Sequence, residues 1–221
     1  MTDAIINVNG GSVQMLDILL LTTVLTLLPS LVVMMTSFTR YVVVFSFLRT
    51  AMGTQQTPPN MVLVGMALML TLFTMTPTLD SIRTDAYDPY VAGEISQEEF
   101  FDRAQDPLKS FMLDNTTISS LELYCEISNT EPPASLDNAG ELSMLVIVPA
   151  FVTTELKAAF EIGFLLYIPF MLIDIIVSST LMSMGMIMLP PSMISTPFKI
   201  LLFILLDGWQ LLFSTLVRGI N

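Results

Sequence analysis

Apolar residues run in long blocks along this 221-residue chain, at 15–38, 41–48, 61–79, 142–152, 160–189 and 200–217. A helix needs roughly 20 apolar residues to cross about 30 Å of hydrocarbon. Blocks 61–79 and 200–217 therefore predict one crossing each. Residues 15–48 are overlong, spanning about 50 Å if helical, with Arg40 inside the stretch. Block 160–189 is also long. Pro29, Pro149 and Pro169 each remove a helical hydrogen bond and predict a kink or break at their positions. The pattern predicts an all-α membrane protein with four spanning-type helices in two long hairpins. Its excess length predicts that some helical surface is covered by protein rather than lipid.

The polar residues gather between the hairpins. Residues 80–141 hold 14 acidic and three basic residues, so this segment carries −11 of the net −12. The chain divides into an N-terminal helical hairpin (1–79), a small acidic helical insert (80–141) and a C-terminal helical hairpin (142–221). Within the insert, Ser96 and Glu99 form a capping box that predicts a helix start. Asp106-Pro107 predicts a second start, with proline at the first helical position, and Ser119 with Glu122 a third. Residues 129–140 read as a turn-rich linker. A unit this small rarely stabilises itself without staples, so it is expected to lean on neighbours or on copies of itself. Its acidity argues against nucleic acid and anionic headgroups as partners.

Composition sharpens the membrane reading. Only 13% of residues are charged, against about a quarter in soluble domains, and mean hydropathy is +0.72. Cys125 is the only cysteine, so no intrachain disulfide forms, and it is expected to be a small buried hydrophobe. Residues 1–14 lack Lys and Arg, unlike the basic start of a secretory signal, so the first apolar helix is expected to be retained. Arg40, Arg49 and Lys199 flank two short connections that contain no acid. Basic residues in short loops mark the cytoplasmic side, which places the insert and both termini on the periplasmic side. Arg218 goes against this rule.

The chain has no histidine, which removes the commonest general base and metal ligand together. No nucleotide loop, metal-ligand cluster or catalytic triad is present, and no enzyme activity, cofactor or metal is expected. Asp174 and Asp207 are the carboxylates deepest in apolar blocks. If the last hairpin turns near residue 193, Asp207 lies opposite roughly residue 179, about 7 Å along the axis from Asp174. Two facing aspartates would suit an aspartyl protease or a proton relay, but a structural charge inside an assembly is the expected role. In that register Lys199 lies about 20 Å from Asp174, so the pair would form between staggered neighbours, or within one chain only where helices break. Lys157 and Glu161 have the spacing of an ordinary helical ion pair. Glu155 has no such partner and is expected to bond to a neighbouring subunit, with a solvated interfacial position as the other reading.

Met182, Met184, Met186 and Met188 alternate, so successive members fall on different helix faces. Methionine often simply fills gaps in membrane helices. Here Gly185 loosens the helix and Pro190-Pro191 favours extended backbone before it. Irregular backbone at membrane depth is tolerated only inside protein or beside a water-filled cavity. Flexible thioethers on such a loop are suited to closing a pore.

Two polar, proline-marked islands, RTAMGTQQTPPN at 49–60 and PAFVTTELKAAFEIGF at 149–164, together with Asp207-Gly208-Trp209, resemble the FliP family of the bacterial flagellar type III export gate. The resemblance runs from about residue 34 to 216, leaving only the acidic middle unspecific. It implies a core subunit of the gate, in the bacterial inner membrane at the flagellar basal body, through which unfolded flagellar proteins cross. It further implies a homo-oligomeric ring, a pentamer, wound together with FliQ-like and FliR-like subunits, with FlhA and FlhB alongside. The loop motif would comprise Arg49, Gly53, Gln55, Gln56, Pro58 and Pro59. FliP-like proteins typically carry Gly-Met-Met-Met, an aliphatic residue and Pro-Pro, whose methionines form a gasket at the pore constriction. This chain reads GMIMLPP at 185–191, which assigns the gate to Met186, Ile187 and Met188 with a stiffer, β-branched middle position. Glu155, Lys157, Asp174, Lys199 and Asp207 would serve assembly or act as intramembrane charges. Competing readings are a virulence-type III export-gate subunit, and an ion-coupled transporter or channel using Asp174 and Asp207, although no inverted repeat is evident.

Overall fold

A computed structural model describes residues 5–8, 11–133, 136–186 and 188–220. The described chain is helical apart from one small ribbon, in which β1 (Ile5–Val8) pairs antiparallel with β2 (Gly11–Gln14). Helix α1 (Met15–Met35) follows, then α2 (Phe38–Met52) and α3 (Asn60–Ile82). A π-helical turn (Arg83–Tyr87) carries α3 into α4 (Asp88–Val91), so one helical path runs 32 residues from Asn60 to Val91. Helices α5 (Gln97–Asp114) and α6 (Ile118–Ile127) complete the acidic insert. Helix α7 (Met144–Ser183) is 40 residues long, about 60 Å, and α8 (Pro191–Leu205) and α9 (Gly208–Arg218) return beside it.

Among the described residues, two helical paths, Asn60–Val91 and α7, are long and apolar enough to cross a membrane, or up to four when each bent pair counts as one crossing. The bent pairs account for the overlong first block. From Pro29–Met35 into α2 the axis turns by 82°, and from α8 into α9 by 63°. The prolines do not break their helices. Helix α1 runs through Pro29 and α7 through both Pro149 and Pro169. Membrane helices absorb a proline when neighbouring groups and local adjustments satisfy the freed carbonyl. The chain bends instead at Thr36-Ser37, where the buried Ser37 hydroxyl meets Thr74 Oγ1 of α3 at 2.8 Å.

The core is shared between the hairpins rather than divided by them. Tyr41, Val44, Phe45 and Leu48 of the short α2 sit fully buried among Ala67 of α3, Ala159 and Phe170 of α7, and Leu216 of α9. Helix α2 packs most extensively along α7. Gly163 makes room for Phe47 of α2, since a Cβ there would lie 2.5 Å from its ring. A second cluster joins Phe111, Met112, Leu121 and the fully buried Cys125 of the insert to Ile147, Ala150 and Phe151 in the first turns of α7. One face of the first three turns of α7 is therefore covered by the insert, which accounts for part of its length beyond what a bilayer requires.

Inside the insert, Ser96 caps α5 as its sequence predicts, accepting from the Glu99 N–H at 3.2 Å. Pro107 starts no second helix and lies within α5. The start of α6 falls at Ile118, with Thr117 at the cap position rather than Ser119.

Candidate gate and charge sites

Two buried basic side chains each tie an acid of α7 to the carboxyl-terminal end of another helix. Arg40 of α2 donates from Nε to Glu155 Oε2 at 2.8 Å and from Nη2 to Glu155 Oε1, and its Nη1 donates to the Gly219 carbonyl at 2.7 Å. Gly219 is the cap residue of α9. The last carbonyls of a helix have no intrahelical donor and carry the negative end of its dipole, so the guanidinium neutralises Glu155 and caps α9 together. Two parallel N–H···O bonds are the strongest geometry available to this pair. Glu155 is 1% exposed. Its partner thus lies in its own chain, correcting the expectation of a bond to a neighbouring subunit or of solvation. Arg40, read from the sequence only as a marker of sidedness, is the residue that reasoning missed. The available signal was a base between two apolar blocks near one end of the chain and an unmatched acid between two others.

The second clasp repeats this design. Lys199 of α8 donates to Asp174 Oδ2 at 2.6 Å and to the Ala51 carbonyl, in the last turn of α2, at 3.0 Å. Ser195, one turn before Lys199, donates to Asp174 Oδ1 at 2.7 Å. This pair also forms within one chain, because the turn is displaced from its expected position. Helix α7 ends at Ser183 and α8 begins at Pro191, so the loop centres on residue 187 and sets Lys199 opposite residue 175. The helix between Lys199 and the loop stays unbroken; the register, not a break, brings the pair together. Asp174 remains 41% exposed at its side chain.

Asp174 and Asp207 are not brought together. Asp207 separates α8 from α9 in left-handed backbone, φ 48°, a conformation that costs non-glycine residues about 1–2 kcal/mol and that Asp tolerates better than most. Its side chain is exposed and does not cap α9. The new register sets it level with residue 167, about 10 Å from the level of Asp174 and on the far side from the loop. Lys157 and Glu161 are both exposed and form no ion pair with each other.

The connection between α2 and α3 turns at Gly53, whose φ of 73° closes α2 with an N–H bond to the Thr50 carbonyl. Arg49 spans the turn to Asn60 Oδ1, while Gln55 and Gln56 are exposed. Pro59 occupies the cap position of α3, with Pro58 just ahead of it. At the end of α7, Gly185 takes φ 74° and the chain leaves the helix. Met182, Met184, Met186 and Met188 are 68%, 67%, 43% and 96% exposed, so none fills a core. Ile187 lies outside the described residues.

The sequence model of the FliP family matches residues 21–216 of this chain. Over 210 residues the chain is 49% identical to "Flagellar biosynthetic protein FliP" of Aquifex aeolicus (strain VF5), covering 95% of this chain and 87% of that one. The protein of the same name from Bacillus subtilis (strain 168) is 47% identical over 202 residues, 91% of this chain and 90% of the relative. A third, from Buchnera aphidicola subsp. Acyrthosiphon pisum (strain APS), is 47% identical over 199 residues, 90% of this chain but 52% of a longer protein.

Proposed function

This chain belongs to the FliP family, and we propose that it is a membrane-embedded core subunit of the flagellar type III protein export gate. Copies form a ring, five by family resemblance, with FliQ- and FliR-like subunits, beside FlhA and FlhB. Unfolded flagellar proteins cross the inner membrane through its lumen. Met186, Ile187 and Met188 form the constriction. The observation that carries this assignment is the loop after α7, turned by Gly185 and presenting Met186 and Met188 to the surface. A hydrophobic constriction blocks ions by dewetting, and flexible thioethers reseal around a moving chain. Residues 80–141 form the periplasmic insert between an N-terminal and a C-terminal membrane unit. The ion-coupled alternative is disfavoured, since Asp174 is already held by Lys199 and Ser195.

Replacing Met186 and Met188 by Ala is expected to make cells leak small ions, read as membrane conductance or growth under salt stress, at unchanged complex abundance. Normal assembly with no added leak would remove the gate from this loop. Orientation has its own test. A cysteine at Glu131 should react with a membrane-impermeant thiol reagent in intact cells and one at Asn60 should not; the opposite pattern inverts the topology.

A further inference from the structure

We infer that Met186 and Met188 form a reversible oxidation site, at which hydrogen peroxide or a related two-electron oxidant converts the thioethers to sulfoxides and opens the gate loop to water. This rests on the gate reading and adds a chemical control to it. Five of the chain's 17 methionines fall between residues 182 and 193, where the backbone leaves the helix at Gly185. All five are exposed, Met188 almost completely. Oxidation of sulfur follows exposure, and the usual competitor is out of reach. Cys125, the only cysteine, is fully buried. Met52, Met75 and Met112 are buried as well. The loop is therefore the densest run of accessible sulfur among the described residues.

The reaction needs only the oxidant. A sulfur lone pair attacks one peroxide oxygen, the O–O bond breaks, that oxygen stays on sulfur, and the other leaves as water. Sulfur gives up two electrons and the peroxide takes them. The product is a polar side chain in place of an apolar one, and sulfoxide reductases restore the thioether. A hydrophobic constriction holds back ions because water leaves it. A sulfoxide oxygen accepts hydrogen bonds and keeps water there, so the same two residues that seal the lumen when reduced wet it when oxidised. Position decides the effect, not oxidation as such. Met61 and Met69 of α3 are 85% and 73% exposed but lie outside the loop, so their sulfoxides leave the seal unchanged.

The experiment places the assembled complex, with the full chain, in planar bilayers and adds hydrogen peroxide. Sulfoxide at each methionine is read by peptide mass spectrometry, and ion conductance is read in parallel. Conductance should rise about tenfold as Met186 and Met188 oxidise, a change equal to about 1.4 kcal/mol in the barrier, and should fall again on treatment with methionine sulfoxide reductases. Met186→Leu with Met188→Leu keeps an apolar ring and should stay closed in peroxide, even with Met61 and Met69 oxidised. Sulfoxide at Met186 and Met188 without added conductance overturns the inference. So does a leak of equal size in the leucine variant, or oxidation of Met61 and Met69 that spares the loop. The alanine replacements at the same two positions separate the levels. If they leak untreated and the sulfoxides do not, the inference alone fails; if neither leaks, the gate reading fails with it.

Discussion

At its insert end α7 is walled in by α5 and α6, and Glu155 is sealed against Arg40 with 1% of its surface exposed. At its loop end Asp174 keeps 41% of its side chain exposed, and the methionines beyond it touch no core. Both ends use the same device, an acid of α7 held by a base that also caps a neighbouring helix. What differs is solvation. Taking both partners of a pair out of water makes each dependent on the other, because the survivor of a deletion is left as an unpaired buried charge. A half-exposed acid keeps water as a substitute partner. The insert-end clasp is thus sealed from solvent, whereas the loop-end clasp keeps its acid open to it.

The comparison breaks most visibly at Glu155. Glu155→Ala strands Arg40 in the core and should cost about 3–5 kcal/mol, read as loss of folded chain from the membrane by limited proteolysis. The double replacement Arg40→Met with Glu155→Leu should recover much of that loss, since apolar side chains of similar volume often substitute for a buried pair. A double mutant as unstable as the sum of its singles would mean that the pair is not the sealed clasp described. Lys199→Ala should do less, about 1–3 kcal/mol, because Asp174 retains Ser195 and solvent and the main loss is the bond to Ala51. Equal losses at Glu155 and Lys199 by the same assay would erase the distinction between the two ends.

Much of this architecture was legible before any coordinates. The apolar blocks locate helices long and apolar enough to span a membrane, the Ser96–Glu99 spacing marks a real cap, and the 49–60, 149–164 and 207–209 motifs lead to the family. The clasps were not legible, for specific reasons. Arg40 and Glu155 are 115 residues apart, and no local spacing rule links so distant a base and acid. The Asp174–Lys199 register hinged on where the last hairpin turns. Residues 184–193 are almost wholly apolar, and the expected register took the turn to lie near 193. Gly185 ends α7 earlier, and Pro191 is instead a helix-starting residue, suited to the first turn because its missing N–H is not needed there. A shift of six residues in the turn centre moves every facing pair by twelve. Pro149 and Pro169 break nothing, since they sit in a long helix buttressed along part of its length by α2 and the insert.

The gate assignment remains the central claim, and a cysteine at the loop end tests it most directly. In a Cys125→Ala background, Met188→Cys chains in the assembled complex should cross-link to one another with a short bifunctional thiol reagent, and the adduct should stop flagellar export. A cysteine at Met69, exposed on α3 and remote in sequence from the loop, should do neither. Assembled complex that carries Met188→Cys yet neither cross-links between copies nor loses export on thiol modification would contradict the account.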